Sequence, residues 1–215
     1  MKQTIFTKAG VIAAAALFAL ATQTTAQTTK TETHNHSHAA SEPSLINKAD
    51  VQDRELSDWA DDWQSLYPLL QDGTLDPVMT HKAESGKKTA EEYRAYYEVG
   101  YKTDVERILI DDSTVTFFQD GQPRLGQYTY DGYEILTYES GSQGVRYVFK
   151  KMGGDAAAPQ FIQFSDHEIV PTKVDHYHLY WGNDRAALLK EVTNWPTYFP
   201  ANLSGDEVAA RMMAH

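Results

Sequence analysis

Hydrophobic positions change their spacing twice along the chain, and those changes divide it. Leu56, Trp59, Trp63, Leu66, Tyr67 and Leu70 recur at helical intervals, with Asp58, Asp61, Asp62 and Gln64 between them. The spacing predicts an amphipathic helix that Pro68 kinks or ends and Asp72-Gly73 closes. Thr89-Ala-Glu-Glu92 has the form of a capping box, followed by a second stripe of Tyr93, Tyr96, Tyr97 and Tyr101 expected to face a core. From Val105 the period shortens. β-Rich runs occupy 105–110, 114–119, 126–131, 133–138, 145–150, 160–165 and 176–181. Asp111-Asp112, Asp120-Gly121, Asp131-Gly132, Ser140-Gly141 and Gly153-Gly154 punctuate them as turns. Short strands at this spacing predict an antiparallel sandwich or barrel. Helical spacing returns at Ala186, Leu188, Leu189 and Val192, and Ser204-Gly-Asp-Glu207 is a second capping box that opens a last helix. The expected class is α+β, mainly β: helices, a seven-strand unit, then helices.

The first residues read as an address. Lys2 and Lys8 precede an apolar run at 11–21, and Thr24-Thr25-Ala26 offers the small residue at which a signal peptidase cuts. The run is short of the ~20 residues a bilayer-spanning helix needs. Residues 1–26 are therefore expected to be a Sec-type signal peptide cleaved after Ala26. Residues 27–48 are rich in Thr, Ser and His and almost free of apolar residues, so a disordered tail is expected there. Residues 49–215 form the expected folded domain.

Composition narrows the chemistry. The 215 residues are 41% hydrophobic, enough for one core without a covalent staple. Cysteine is absent, which excludes disulfides, thiolate metal sites and thiol catalysis. A formal charge of −11 repels phosphate backbones and anionic membranes and favours cations. An exported chain without cysteine fits a bacterial periplasm.

Histidine is the uncommon ingredient. Of eight, six fall in two clusters: His34, His36 and His38 in the tail, and His167, His176 and His178 near the last strands. His176 and His178 flank one residue of an expected strand, so both imidazoles point to one face. Two such nitrogens can bind one ion at ~2.0–2.1 Å, and an antiparallel return would bring His167 beside them. Three imidazoles with an open fourth position suit Zn(II) better than the oxygen-seeking Ca(II) or Mg(II). The bland alternative is a pair of polar residues facing solvent. Protons compete with such a site, so affinity should fall at least tenfold from roughly pH 7.5 to 5.5. The tail histidines lack fixed geometry and are expected to be a weak auxiliary site of loose metal choice. His81 and His215 are expected on the surface.

Several long segments resemble one family. LSDWADDWQSLYPLLQDGTLDPV (56–78), KTAEEYRAYYEVGYKTDVERI (88–108) and YDGYEILTYESGSQGVRYVF (130–149) are similar to the ZinT (YodA) zinc-binding proteins. So are FIQFSDHEIVPTKVDHYHLYWG (161–182) and NWPTYFPANLSGDEVAARMMAH (194–215), and the similarity runs from about Leu56 to His215. The resemblance implies a lipocalin-like (calycin) antiparallel β-barrel with added N- and C-terminal helices. It implies Zn(II) ligation in the periplasm by the S-D-H and H-x-H histidines, here His167, His176 and His178, with an exogenous fourth ligand. Cadmium or other divalent transition metals are further implied ligands, and the substrate-binding protein of a zinc ABC importer an implied partner. The expected function is capture or buffering of Zn(II), without nucleic acid, membrane or catalysis. Two other classes fit parts of the pattern. A zinc hydrolase or hydratase would use Asp166, Glu168 or Asp175 as base, and a lipocalin-type carrier would hold an apolar molecule in the barrel.

Overall fold

A closed barrel organises the described residues, 44–214 of a computed structural model. Its strands are β1 (Asp61–Ser65), β2 (Val105–Ile110), β3 (Thr114–Gln119), β4 (Gln122–Thr137), β5 (Gln143–Gly154), β6 (Phe161–Ser165), β7 (Tyr177–Gly182) and β8 (Thr197–Pro200). Each is antiparallel to its neighbours in chain order, and β1 closes the ring against β8 through Gln64 opposite Phe199. Closure removes the exposed edges an open sheet would present.

Several expectations about elements change, among them Gly153-Gly154, expected as a turn, which instead ends β5. The stretch 56–70 is not one helix: a single 3-10 turn at Leu56–Trp59 leads into β1, and only then comes α1 (Leu66–Gln71). The apolar positions nonetheless face inward as expected: Leu56, Trp59, Trp63, Leu66 and Leu70 are buried and Tyr67 is half-buried. β1 exists because its backbone groups complete two ladders, with β2 and with β8. Pro68 is the third residue of α1, where the missing N–H has no intrahelical partner to lose, so it neither kinks nor ends the helix. Asp131-Gly132 is not a hairpin turn. It is an irregularity inside one 16-residue strand, β4, where the register against β5 shifts between Tyr130 and Tyr133. Gly132 takes a φ of 91° there, a conformation that suits glycine. The seven expected strands thus become six, and β1 and β8 bring the barrel to eight among the described residues.

Aromatic rings fill the interior. Trp59 stacks on Phe164 at 4.5 Å between centroids and meets Phe149 edge-on, while Trp63 stands against Tyr177 at 4.7 Å. Outside β8 lies a second core, built by α1, α2 (Asp76–Ser85), α3 (Ala90–Tyr101) and α5 (Gly205–Ala214). Leu66, Leu70, Val78, Tyr101, Phe199 and Val208 form its centre. Both capping boxes are present: Glu92 N–H donates to Thr89 and Thr89 N–H to Glu92, and Ser204 and Glu207 do the same. Tyr101 is buried as expected, whereas Tyr96 is 45% exposed. The helix expected around 186–192 is a single turn, α4 (Arg185–Leu188), capped by Asp184.

Residues 44–48, read with the tail, touch the barrel. Gln143 N–H donates to Ser44 O, and Ile46 N–H donates to the Gln143 side chain. The stretch read as a signal peptide lies outside the described residues, as do His34, His36, His38 and His215. No helix among the described residues is long and apolar enough to cross a membrane.

Candidate metal centre

His176 immediately precedes β7 and His178 is its second residue. Tyr177 between them points into the barrel core, so the alternation sends both imidazoles to the outer face. The ladder places His178 opposite Ser165 of β6 and Thr197 of β8. His167 follows two residues after Ser165, and the loop it opens returns to His176. The three ring centroids form a nearly equilateral triangle with sides of 6.0, 6.0 and 6.2 Å. The structure therefore brings together the three histidines singled out from the sequence. His176 also lies flat on Phe199, 5.0 Å away and 11° from parallel, which limits its rotation.

The triangle fits an ion with a small contraction. A tetrahedral metal 2.0–2.1 Å from three imidazole nitrogens sets ring centroids about 5 Å apart. The rings stand about 1 Å wider than that, and among the described residues no group of three or more His, Asp or Glu is already drawn in around an ion position. Nitrogen donors of this kind suit Zn(II) and its neighbours in the transition series.

A buried ion pair braces the loop. Asp166, next to His167, accepts from Arg54 Nη1 at 2.9 Å on both carboxylate oxygens, from Trp59 Nε1 at 2.7 Å and from Glu168 N–H at 3.0 Å. Arg54 also donates to Thr172 O at 2.9 Å and Asp58 at 2.7 Å, and its guanidinium lies 4.1 Å over the Trp59 ring. Lys173 Nζ reaches Ala60 O. Residues 52–60 are thereby tied to both halves of the loop between β6 and β7. Burial raises the Asp166 carboxyl above its ordinary value, and Arg54 pulls in the opposite direction. His167 itself has φ of 76°, a left-handed conformation that costs a non-glycine residue about 1–3 kcal/mol and persists only where the surrounding structure holds it. Arg54 grips the residues on either side of it, donating to the Asp166 carboxylate and to Glu168 O.

The remaining candidates separate clearly. Asp166 is committed to Arg54 and Trp59, so it is a brace and not a free base. Asp175 is exposed and lies 3.9 Å from Arg211. His81 is on the surface beside Glu84, as expected. A groove of about 520 Å³, lined by Lys102, Asp104, Tyr180, Asn183 and Glu191 among others, includes none of the three histidines. Arg54 and Thr197 escaped the reading of the sequence. An isolated Arg in a polar run and a Thr before an aromatic pair carry no spacing signal, and only the fold reveals their roles.

Comparison with known proteins points to metal binding. A model of the ZinT (YodA) family, described as periplasmic lipocalin-like zinc-recruitment, matches residues 37–215. A probable metal-binding protein of Bacillus subtilis, YrpE, is 60% identical over 79% of the chain and 68% of its own length. The zinc-binding lipoprotein AdcA of Streptococcus pneumoniae is 50% identical over 78% of the chain, which spans only 34% of AdcA. Among solved structures, the Zn(II)-bound ZinT-like domain of that AdcA superposes with a TM-score of 0.76 at 48% identity, covering 79% of this chain and 95% of the domain. These relatives are described by metal binding and not by a reaction.

Proposed function

The chain belongs to the ZinT (YodA) family, and from that membership we propose that it captures Zn(II) on His167, His176 and His178 and buffers it or passes it on. The observation that carries this reading is the triangle of imidazoles on the outer wall of the barrel. Zn(II) is cargo here, held by neutral imidazoles with the fourth position left to water or an anion. Cd(II) and other divalent transition metals would enter the same nitrogen site. The receiver of the metal would be the substrate-binding protein of a zinc ABC importer. AdcA, a zinc-binding lipoprotein about three times as long as the aligned region, joins a ZinT-like domain to further sequence. Residues 1–26 would direct export to the periplasm, with cleavage after Ala26, and His34, His36 and His38 would act as a weak auxiliary capture site.

The other classes lose support. Of the three acids a hydrolase could use as base, Asp166 is engaged by Arg54 and Trp59 and Asp175 is exposed beside Arg211, and the matched relatives are described by metal binding and not by a reaction. A lipocalin-type carrier needs room inside the barrel, where Trp59, Trp63, Tyr147, Phe149, Phe164 and Tyr177 are packed. Replacing His176 and His178 together by alanine tests the reading. Tight zinc binding, measured by competition with a chromophoric chelator, should vanish while the far-ultraviolet dichroism of the barrel persists. Retention of tight binding by the folded double variant contradicts it.

A further inference from the structure

Thr197 is 2% exposed and sits opposite His178 across the β7–β8 ladder. Its Oγ1 lies 2.8 Å from His178 Nδ1 and 2.9 Å from Trp195 O. A hydroxyl has one proton, and a carbonyl only accepts. The Thr197 proton therefore goes to Trp195 O, and toward His178 the hydroxyl oxygen is the acceptor. Nδ1 must then carry the imidazole proton, which leaves the lone pair on Nε2.

The Trp195 carbonyl is held in place from α3. Trp195 N–H donates to Gly100 O at 2.6 Å. Asn194 Nδ2 donates to Val99 O, Gly100 O and Lys102 O at 2.9–3.1 Å. Leu179 N–H donates to Pro196 O, fastening the same turn to β7. A rigid chain of hydrogen bonds thus runs from the end of α3, through Trp195 and Thr197, to one ring of the histidine triangle.

We propose that Thr197 is a positioning residue of the metal centre: its hydroxyl fixes the tautomer of His178 so that Nε2 is the metal-binding nitrogen. The inference rests on the three-histidine reading given above. Outer partners of this kind fix ring orientation and raise ligand basicity, and their loss costs about 10–100-fold in metal affinity. Valine is close to threonine in shape, so Thr197→Val removes the hydroxyl with little change in packing, and Thr197→Ser keeps the hydroxyl.

Long-range proton–nitrogen correlation NMR of the metal-free full chain reads the tautomer directly. Wild type and Thr197→Ser should show His178 protonated at Nδ1, whereas Thr197→Val should shift toward the Nε2-protonated form. Zinc affinity should fall about 10–100-fold in Thr197→Val and return to near wild type in Thr197→Ser. An Nε2-protonated His178 in the wild-type protein overturns the inference whether or not the valine variant folds. So does a folded Thr197→Val with wild-type affinity. His176→Ala, measured in parallel, separates the two failures. If it binds zinc like wild type, the three-histidine reading falls and this inference with it. If it loses binding while Thr197→Val does not, the role of Thr197 alone is refuted.

Discussion

Removing the Asp166 carboxylate should destabilise the domain and loosen the metal centre together. In Asp166→Ala, Arg54 Nη1 loses its carboxylate, Trp59 Nε1 loses its acceptor, and Glu168 N–H loses its turn partner. Both side chains of the pair are 0% exposed, so water does not substitute freely. Breaking a buried pair by deleting one partner costs about 3–5 kcal/mol, because an uncompensated charge stays in a poorly solvated site. Asp58 and the Thr172 carbonyl still receive Arg54, which argues for the lower part of that range. For a domain of this size each kcal/mol shifts Tm by about 2–4 °C, so a fall on the order of 10 °C is expected. Thermal melts followed by circular dichroism, with chelator present to remove metal effects, measure it. The strain at His167, no longer imposed by its neighbours, should relax, and zinc affinity should drop about 10–100-fold. Pairing Asp166→Leu with Arg54→Met should recover part of the lost stability, since both charges of the buried pair go together although Asp58 and Trp59 Nε1 each lose a partner, but not the affinity. A Tm within about 2 °C of wild type for Asp166→Ala would refute the reasoning that the pair braces the loop.

Two further predictions concern Gly100 and Tyr97 of α3 and Tyr180 of β7. Gly100→Ala should destabilise by about 1–3 kcal/mol despite alanine's better helix propensity, because a Cβ there meets the Trp195 ring; denaturant melts check this, and a gain in stability contradicts it. Burial pushes Tyr97 and Tyr180 up to about 12, against an ordinary value of 10.0. The unfolded chain ionises first, so the stability these rings contribute is intact below about pH 10 and is lost as pH rises toward about 12. Denaturant midpoints followed across that range, with tyrosinate absorbance, should fall together with ionisation, and a midpoint constant to pH 12 opposes the account.

What the sequence made legible follows from locality. Strands β2 and β3 match their predicted bounds because each is a β-rich run ended by a local turn signal. Both capping boxes are legible because donor and acceptor lie three residues apart. β1 was hidden, since DDWQS carries a single large apolar side chain and its ladder partners, such as Arg107 opposite Gln64, are 43 or more positions away in the chain. β8 was hidden because it is only four residues long, too short a run to carry a strand period. The histidine pair was readable from the two-residue period of a strand. Its supports were not: Arg54 and Asp166 are separated by 112 positions, and nothing local to either residue signals the other.

The most direct test of the central claim is calorimetric zinc titration of the chain from residue 27 beside a copy beginning at Ser44. The account predicts one tight site in both, with additional weak sites only in the longer form, which carries His34, His36 and His38. Absence of a tight site from the shorter form would contradict it, and would place the metal chemistry in the tail instead of on His167, His176 and His178.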